Sequence, residues 1–236
     1  MPITRSVATL VSALLCAACA SAPSGGAAPG SAAAADTTAG RAIVPRPGVL
    51  ATFVGQPLVI VPTQRLQLAN GAPAWAPQPA GARGYLAALD DEIVAALRDR
   101  GVVGHWVLPE QVVRSARRNP TFASDPHALS VEPLLPRARS GGAASEIADP
   151  LRSQLRAITA LSEDARFVLV PVELRFERAP ADPAAGRAVL HLALVDTRLA
   201  QVRWTGDVAS DDASSLSPAV AASLADRVAT LAAAPR

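Results

Sequence analysis

In the middle of the chain, apolar residues follow the spacing of two strands and two helices. The run 58–61 is wholly apolar, which is typical of a strand buried on both faces. Residues 83–100 carry apolar side chains at helical spacing, and Gly101 follows them as a stop signal. Residues 102–108 predict a second strand, and Pro109 begins a second, shorter helix.

The last third of the chain predicts a helix, three strands and a final helix. Asp149-Pro150 has the form of a helix N-cap followed by the first helical residue. The strands are predicted at 165–176, 187–195 and 201–208, and the last two form a hairpin. Ser217-Pro218 begins the final helix.

Pro171 lies within the first of these three strands. Because proline has no N–H to donate to a neighbouring strand, it predicts either an edge strand or a bulge. The order of elements predicts a mixed α/β fold. We expect a single three-layer domain with a mixed sheet of about five strands, about four helices, and a terminal β-hairpin followed by a C-terminal helix.

Residues 120–148 show no periodicity and contain four prolines together with Gly141-Gly142. The pattern predicts a long, mobile loop within the domain. Loops of this length are more often functional or disordered than inert.

The amino terminus predicts a secreted, lipid-anchored protein. Residues 1–18 have the form of a secretory leader, with one arginine, an apolar run and small residues. The sequence Leu-Cys-Ala-Ala-Cys that ends at Cys19 resembles the lipobox of bacterial lipoproteins. Cys19 follows two alanines, whereas Cys16 would follow the bulky Leu15, so Cys19 is the predicted lipidation site. Ordinary leader cleavage near residues 18–22 is the alternative.

The segment 19–48 is predicted to be a flexible tether behind the lipidated cysteine, and the α/β domain is predicted at 49–236. After Cys19 this segment consists mainly of Ala, Gly, Ser, Pro and Thr, which cannot bury enough apolar surface to fold. Its reach is at most ~95 Å when fully extended. The absence of aspartate beside Cys19 resembles outer-membrane sorting signals and predicts a location in the outer membrane, facing the periplasm.

Five segments together resemble a family of bacterial envelope domains. They are 58–62, 96–101, 165–172, 192–198 and 202–204. The family comprises the curli secretion lipoprotein CsgG, the penicillin-binding-protein activator LpoB and the amino-terminal domain of TolB. The resemblance implies a non-enzymatic, lipid-anchored accessory protein that docks onto an unknown envelope protein and assists or regulates it.

This chain departs from the family at two places, since it has no glycine in the turn before Val202 and has the long segment 120–148. The alternatives are an oligomeric secretion-channel subunit and a small-ligand-binding or hydrolytic periplasmic domain. A channel subunit would need an additional amphipathic hairpin for the bilayer.

Composition excludes few functions. The 22 basic residues are all arginine, which we attribute to coding bias, and the formal net charge of +2 does not indicate a nucleic-acid partner. Aromatic residues make up only 3% of the chain, which argues against a stacking platform for sugars or bases. His105, His127 and His191 have no metal-ligand spacing, and no nucleophile motif or nucleotide-binding motif occurs. We therefore expect no catalytic residue, cofactor or metal.

Two clusters of acidic residues along the chain are interpreted as solvent-exposed. Asp90, Asp91 and Glu92 are consecutive on a helix and should diverge around its axis. Asp207 and the pair 211–212 lack the spacing and the glycine of a calcium loop.

Arg114, Arg117 and Arg118 form the best candidate interaction surface. Arg114 shares a helix side with Arg117 or Arg118, and guanidinium groups suit carboxylates and phosphates. We expect contact with an acidic partner surface or with lipid headgroups, and a plain solvated helix is the alternative.

Substitution of the two cysteines tests the predicted lipobox. The variant Cys19→Ala should lose labelling by a radioactive fatty acid and leave the membrane fraction, because the thioether that holds the lipid cannot form. The variant Cys16→Ala is the matched control and should keep both properties. Loss of labelling in Cys16→Ala alone would place the lipid on Cys16 instead.

Overall fold

A computed structural model describes residues 48–68, 72–135, 146–163, 165–180, 182 and 184–233. Cys19 and the tether up to residue 47 lie outside these residues. The helices of the described part are α1 (Ala82–Asp99), α2 (Pro109–Arg118), α3 (Leu151–Ala160) and α4 (Pro218–Ala232). The strands are β1 (Leu58–Ile60), β2 (Leu66–Leu68), β3 (Trp106–Val107), β4 (Phe167–Arg178), β5 (Gly186–Asp196) and β6 (Gln201–Ala209).

The strands form one mixed sheet in the order β3-β1-β4-β5-β6, and β2 pairs with β4 beyond the end of β1. β1 is parallel to both of its neighbours, β3 and β4. β5 is antiparallel to β4 and to β6, so the carboxyl-terminal strands form a hairpin that α4 follows. The mixed α/β class, the hairpin and the C-terminal helix are thereby confirmed.

The sheet is the middle layer of three. The chain crosses the sheet in opposite directions when it passes from β1 to β3 and then from β3 to β4. Right-handed crossovers therefore place α1 on one face and α2 with α3 on the other. On the first face α1 and α4 pack against side chains such as Leu174 and Phe176. On the second, Val112 of α2 and Leu155 of α3 cover the valines of β1 and β4.

α1 ends where the sequence predicts. Gly101 has a φ of 68°, a left-handed conformation that glycine adopts without strain. Its N–H donates to the carbonyl of Arg98 at 2.8 Å, which satisfies one of the last carbonyls of the helix.

Pro171 marks a bulge in a central strand rather than an edge. The register between β4 and β5 shifts between Pro171 and Glu173, and β4 is paired on both sides. β2 was not predicted from the sequence, because three half-buried residues carry too short a pattern. The predicted strand 102–108 is reduced to Trp106–Val107.

The turn between β5 and β6 contains no glycine and is held by hydrogen bonds instead. Ala200 has a φ of 53°, which is strained for an alanine. The buried carboxylate of Asp196 accepts the backbone N–H groups of Arg198 and Leu199, each at 3.2 Å. It also binds the guanidinium of Arg166 at 2.6 Å. These bonds hold the turn in place.

Much of the segment predicted as a mobile loop lies against the sheet. Leu129, Val131 and Leu134 are buried on its second face. The Gln64 side chain donates to the carbonyl of Pro126 at 2.8 Å and accepts the N–H of Leu129 at 2.9 Å. Residues 136–145 lie outside the described part, and the mobility of the segment stays a prediction.

The chain enters the described domain at the amino-terminal edge of the parallel strands. The N–H of Gly48 donates to the carbonyl of Thr230 near the end of α4, at 3.2 Å. Phe53 then stacks edge-to-face on Phe167, the first residue of β4, with ring centroids 4.8 Å apart. Among the described residues, no helix combines the length and the apolar character that a membrane crossing requires.

The packing on the first face predicts which substitutions destabilise the fold. Phe176 is fully buried, and its ring meets those of Trp75 and Tyr85 edge-on at 5.6 and 5.7 Å. Phe176→Ala should lower the free energy of unfolding by about 3–5 kcal/mol, because it leaves a cavity among these rings. Phe122→Ala removes a ring that is 56% exposed and should change the free energy of unfolding by less than about 0.5 kcal/mol. Urea denaturation measures both, and equal effects would contradict the packing described.

Candidate functional site

A groove opens between α1 and α2, beyond the carboxyl ends of β1 and β3. The connections that leave these two strands run over opposite faces of the sheet, and such a switch point leaves a crevice between the helices. Pro62 after β1 and Pro109 after β3 line it. The groove has a volume of about 500 Å³, and an adjoining cavity of about 250 Å³ shares Ala87, Asp90 and His127 with it.

Asp90 lies at the junction of the two cavities and is only 8% exposed. Its Oδ1 accepts the hydroxyl of Thr63 at 2.5 Å and the N–H of Thr63 at 3.0 Å. Its Oδ2 lies 3.1 Å from the same N–H. Within the described residues no cationic side chain forms an ion pair with Asp90. Burial raises the pKa of Asp90 to about 6, although the bonds from Thr63 partly oppose the rise.

The interpretation of Asp90 as a solvated carboxylate is therefore wrong, whereas Asp91 and Glu92 are exposed as expected. The sequence does carry a signal for it. Asp90 continues the spacing of Leu86, Ile93 and Leu97, so it occupies a position on the apolar face of α1. The backbone N–H of Thr63, just beyond the end of β1, needs a hydrogen-bond acceptor, and the buried carboxylate of Asp90 supplies it.

α2 brings Arg114, Arg117 and Arg118 to the opposite wall of the groove. Val112 and Ala116 face the core, which turns the arginines outward. Arg114 forms an ion pair with Glu110, one helical turn away. Arg117 and Arg118 are exposed and have no ion pair within the described part of the chain. The structure thus collects the three predicted residues in one place, and their role stays a prediction.

The three histidines have three different environments. His127 is half-buried, lines both cavities, and has its pKa lowered chiefly by burial. His105 is exposed. His191 is buried away from the groove, with Nδ1 2.5 Å from Asp207 and Nε2 3.1 Å from the carbonyl of Leu134. Sequence analysis did not distinguish His127 as a residue of the groove, since its position depends on how the aperiodic segment packs.

Asp207 belongs to a network of charges on the second face of the sheet. Its carboxylate lies 2.5 Å from both His191 and Arg175. Burial opposes its ionisation, but the bonds from His191 and Arg175 outweigh burial and lower the pKa of Asp207. A second pair in this region joins Arg65 to the buried Glu173 at 3.1 Å. These contacts account for Asp207 as a structural residue rather than a solvated one.

Within the residues that the structure describes, no three His, Cys, Asp or Glu side chains come close enough together to hold a metal ion.

Comparison with known proteins gives weak similarities only. No protein-family model matches the sequence, and a search of characterised proteins finds no significant match. Among solved structures, a PelC dodecamer from Paraburkholderia phytofirmans matches with a TM-score of 0.37 and 14% identity, over 81% of this chain and 96% of its own. The LpoB C-terminal domain from Escherichia coli matches with 0.29 and 14%, over 66% and 83%. The corresponding Salmonella enterica domain matches with 0.32 and 13%, over 71% and 94%.

LpoB is also one of the proteins that the sequence resembles. At these scores and identities, however, the structural likeness assigns neither a family nor a function.

The environment of Asp90 predicts a pH dependence of stability. Its pKa of about 6 in the folded protein exceeds the ordinary 3.8, so the folded state holds the proton more tightly than the unfolded chain. The stabilisation is complete below about pH 4 and is lost as the pH rises through 6. The free energy of unfolding, taken relative to Asp90→Asn, should fall by roughly 2.4 kcal/mol between pH 4 and pH 7.5. Urea denaturation across this range measures it.

Glu92→Gln is the matched control for that series, because its carboxylate is exposed on the same helix, two residues after Asp90. Its unfolding free energy should follow that of the unaltered protein at every pH. A difference between the unaltered protein and Asp90→Asn that is constant from pH 4 to pH 7.5 would contradict the assignment.

Proposed function

We propose that this protein is a non-enzymatic accessory protein, lipid-anchored at Cys19 in the outer membrane and facing the periplasm, which docks onto another envelope protein and assists or regulates it. The proposed docking surface is the wall of the groove that carries Arg114, Arg117 and Arg118. The observation behind the proposal is that three exposed guanidinium groups lie together on one wall of a preformed groove. Such groups bind carboxylates in two-point contacts.

The position of the groove relative to Gly48, the first described residue, supports this role. The chain enters the domain at Gly48, beside the end of α4 and at the amino-terminal edge of the parallel strands. The groove opens at the opposite, carboxyl-terminal edge, next to Pro62 and Pro109. A tether that leads from a membrane to the first edge leaves the second edge accessible to a partner in the periplasm.

An exposed aromatic residue follows α2 in the chain. Phe122 is 56% exposed and follows the end of α2, where its N–H donates to the carbonyl of Asn119 at 3.0 Å. Arginine and aromatic side chains are enriched at protein interfaces and contribute much of their binding energy. The segment 117–122, which contains Arg117, Arg118 and Phe122, therefore has the composition of a protein-binding surface.

Reversal of the charge on α2 tests the proposal. The triple variant Arg114→Glu, Arg117→Glu and Arg118→Glu should reduce recovery of the crosslinked partner from native membranes by about tenfold or more, because the new carboxylates repel an acidic surface. Recovery of the unaltered complex should also fall as salt is raised from 50 to 500 mM. Quantitative mass spectrometry of the crosslinked material measures both.

The matched control replaces three other exposed arginines, Arg178, Arg198 and Arg203, by glutamate. It changes the net charge equally and should leave recovery unchanged. Both variants must unfold at the temperature of the unaltered protein. If the α2 variant folds normally and recovers the partner as before, the arginines form only a solvated face and the proposal fails.

A further inference from the structure

We infer that the groove receives an extended segment of the partner protein, in which an acidic side chain lies against α2 and a basic side chain lies against α1. This inference rests on the proposed docking function and specifies what the groove recognises.

The two walls of the groove carry opposite charges. Arg117 and Arg118 stand on the α2 wall, while Asp90 and Asp91 stand on the α1 wall. Arg114 is neutralised by Glu110 within its own helix, so its charge adds little to the contrast. A single anion attracted to α2 would meet the carboxylates of α1 across the groove. An occupant with both signs of charge, correctly ordered, satisfies both walls.

Asp90 has the chemistry of a receptor for a cation. A buried carboxylate is normally paired with a cation or saturated with hydrogen bonds. Asp90 receives only the neutral donors of Thr63, and its Oδ2 accepts a single bond from that residue's N–H. Each carboxylate oxygen can accept about two bonds, so Oδ2 retains capacity for a donor from the groove. An ammonium or guanidinium group there would supply the missing counter-charge.

The shape of the groove favours an extended segment over a compact molecule. The two cavities meet at Ala87, Asp90 and His127, and beyond these shared residues they are lined by different parts of the chain. One leads to Arg118 and the other to Arg83. Between the charged positions the lining includes apolar groups, among them those of Pro62, Ala87, Pro109 and Val113. A few residues in extended conformation can place two charged side chains at separate points and cover the apolar floor between them.

A phage-displayed library of random decapeptides tests the inference, with the full-length lipoprotein purified in detergent as bait. The selected peptides should contain Asp or Glu towards one end and Lys or Arg towards the other, in one constant order. Selection on Asp90→Asn, and separately on Asp91→Asn, should lose the basic preference and keep the acidic one. Selection on the double variant Arg117→Gln, Arg118→Gln should show the reverse.

One selected peptide, made synthetically, gives the quantitative test by isothermal titration. Replacement of its basic residue by Gln should weaken binding to the unaltered protein by about tenfold, a typical effect of a charge-assisted bond. The same replacement should have little effect on binding to Asp90→Asn. Asp91→Asn gives a second double-mutant cycle with the same pair of peptides. Because Asp91 is exposed, this variant is expected to fold normally. Equal tenfold losses in all three proteins would overturn the inference, since the basic residue would then bind elsewhere.

The inference also fails if the library yields no enriched peptides, or only acidic ones whose selection the aspartate variants do not change. Purely acidic peptides would indicate recognition of anions by α2 alone. This result would not by itself contradict the proposed function. The proposed function is tested separately, by recovery of the partner with the triple glutamate variant of α2. If recovery depends on the arginines but no two-charged peptide is selected, docking stands and the extended, two-charged occupant is rejected.

Discussion

The hydrogen bonds between Thr63 and Asp90 join the two parts of the fold that define the groove. β1 is three residues long and lies between β3 and β4, so its backbone is satisfied on both sides until it ends. Beyond Pro62 the backbone N–H of Thr63 must find another acceptor, and the carboxylate of Asp90 supplies it from α1. The bond ties the middle of α1 to the carboxyl end of the central strand. α2 leaves the neighbouring strand over the other face, and the space between the two helices is the groove.

Two largely buried carboxylates in this protein, Asp207 and Asp90, are compensated in different ways. On the second face of the sheet, Asp207 is held between His191 and Arg175, so its burial is compensated by direct partners. Asp90 is comparably buried and has only uncharged donors. A carboxylate kept in this state lowers stability at neutral pH, because its charged form is not compensated. Proteins accept such costs mainly where a group serves recognition or chemistry, which is why the groove rather than the charge network is the functional candidate.

The topology of the sheet also separates the point where the chain enters the domain from the proposed docking surface. Contacts of Gly48 with α4 and of Phe53 with Phe167 gather at the edge where the parallel strands begin. Arg117 lines the groove, which opens at the edge where these strands end. The two ends of parallel strands are necessarily on opposite sides of a sheet. A domain tethered at one side can therefore present the other to a partner without turning over.

Local patterns in the sequence determined most of the elements of this fold. The apolar run of β1, the helical spacing that ends at Gly101, and the hairpin strands were predicted because each depends on contacts between neighbours along the chain or on a single buried face. The arginines of α2 were identified as a surface for the same reason, since the periodicity of a ten-residue helix decides which side chains point outward. The lipobox predicted at Cys19 is likewise based on a local motif.

Tertiary structure alone decided how these parts meet. The aperiodic segment that covers the second face is held by Gln64, more than sixty residues earlier in the chain, so no local pattern announces it. β2 forms because β4 offers it a free edge beyond the end of β1. The helical spacing places Asp90 on the apolar face of α1, but only the strand end at Thr63 decides which group its carboxylate binds there. The opposite charges of the groove face each other because two crossovers leave adjacent strands on opposite faces, which is a property of the whole sheet.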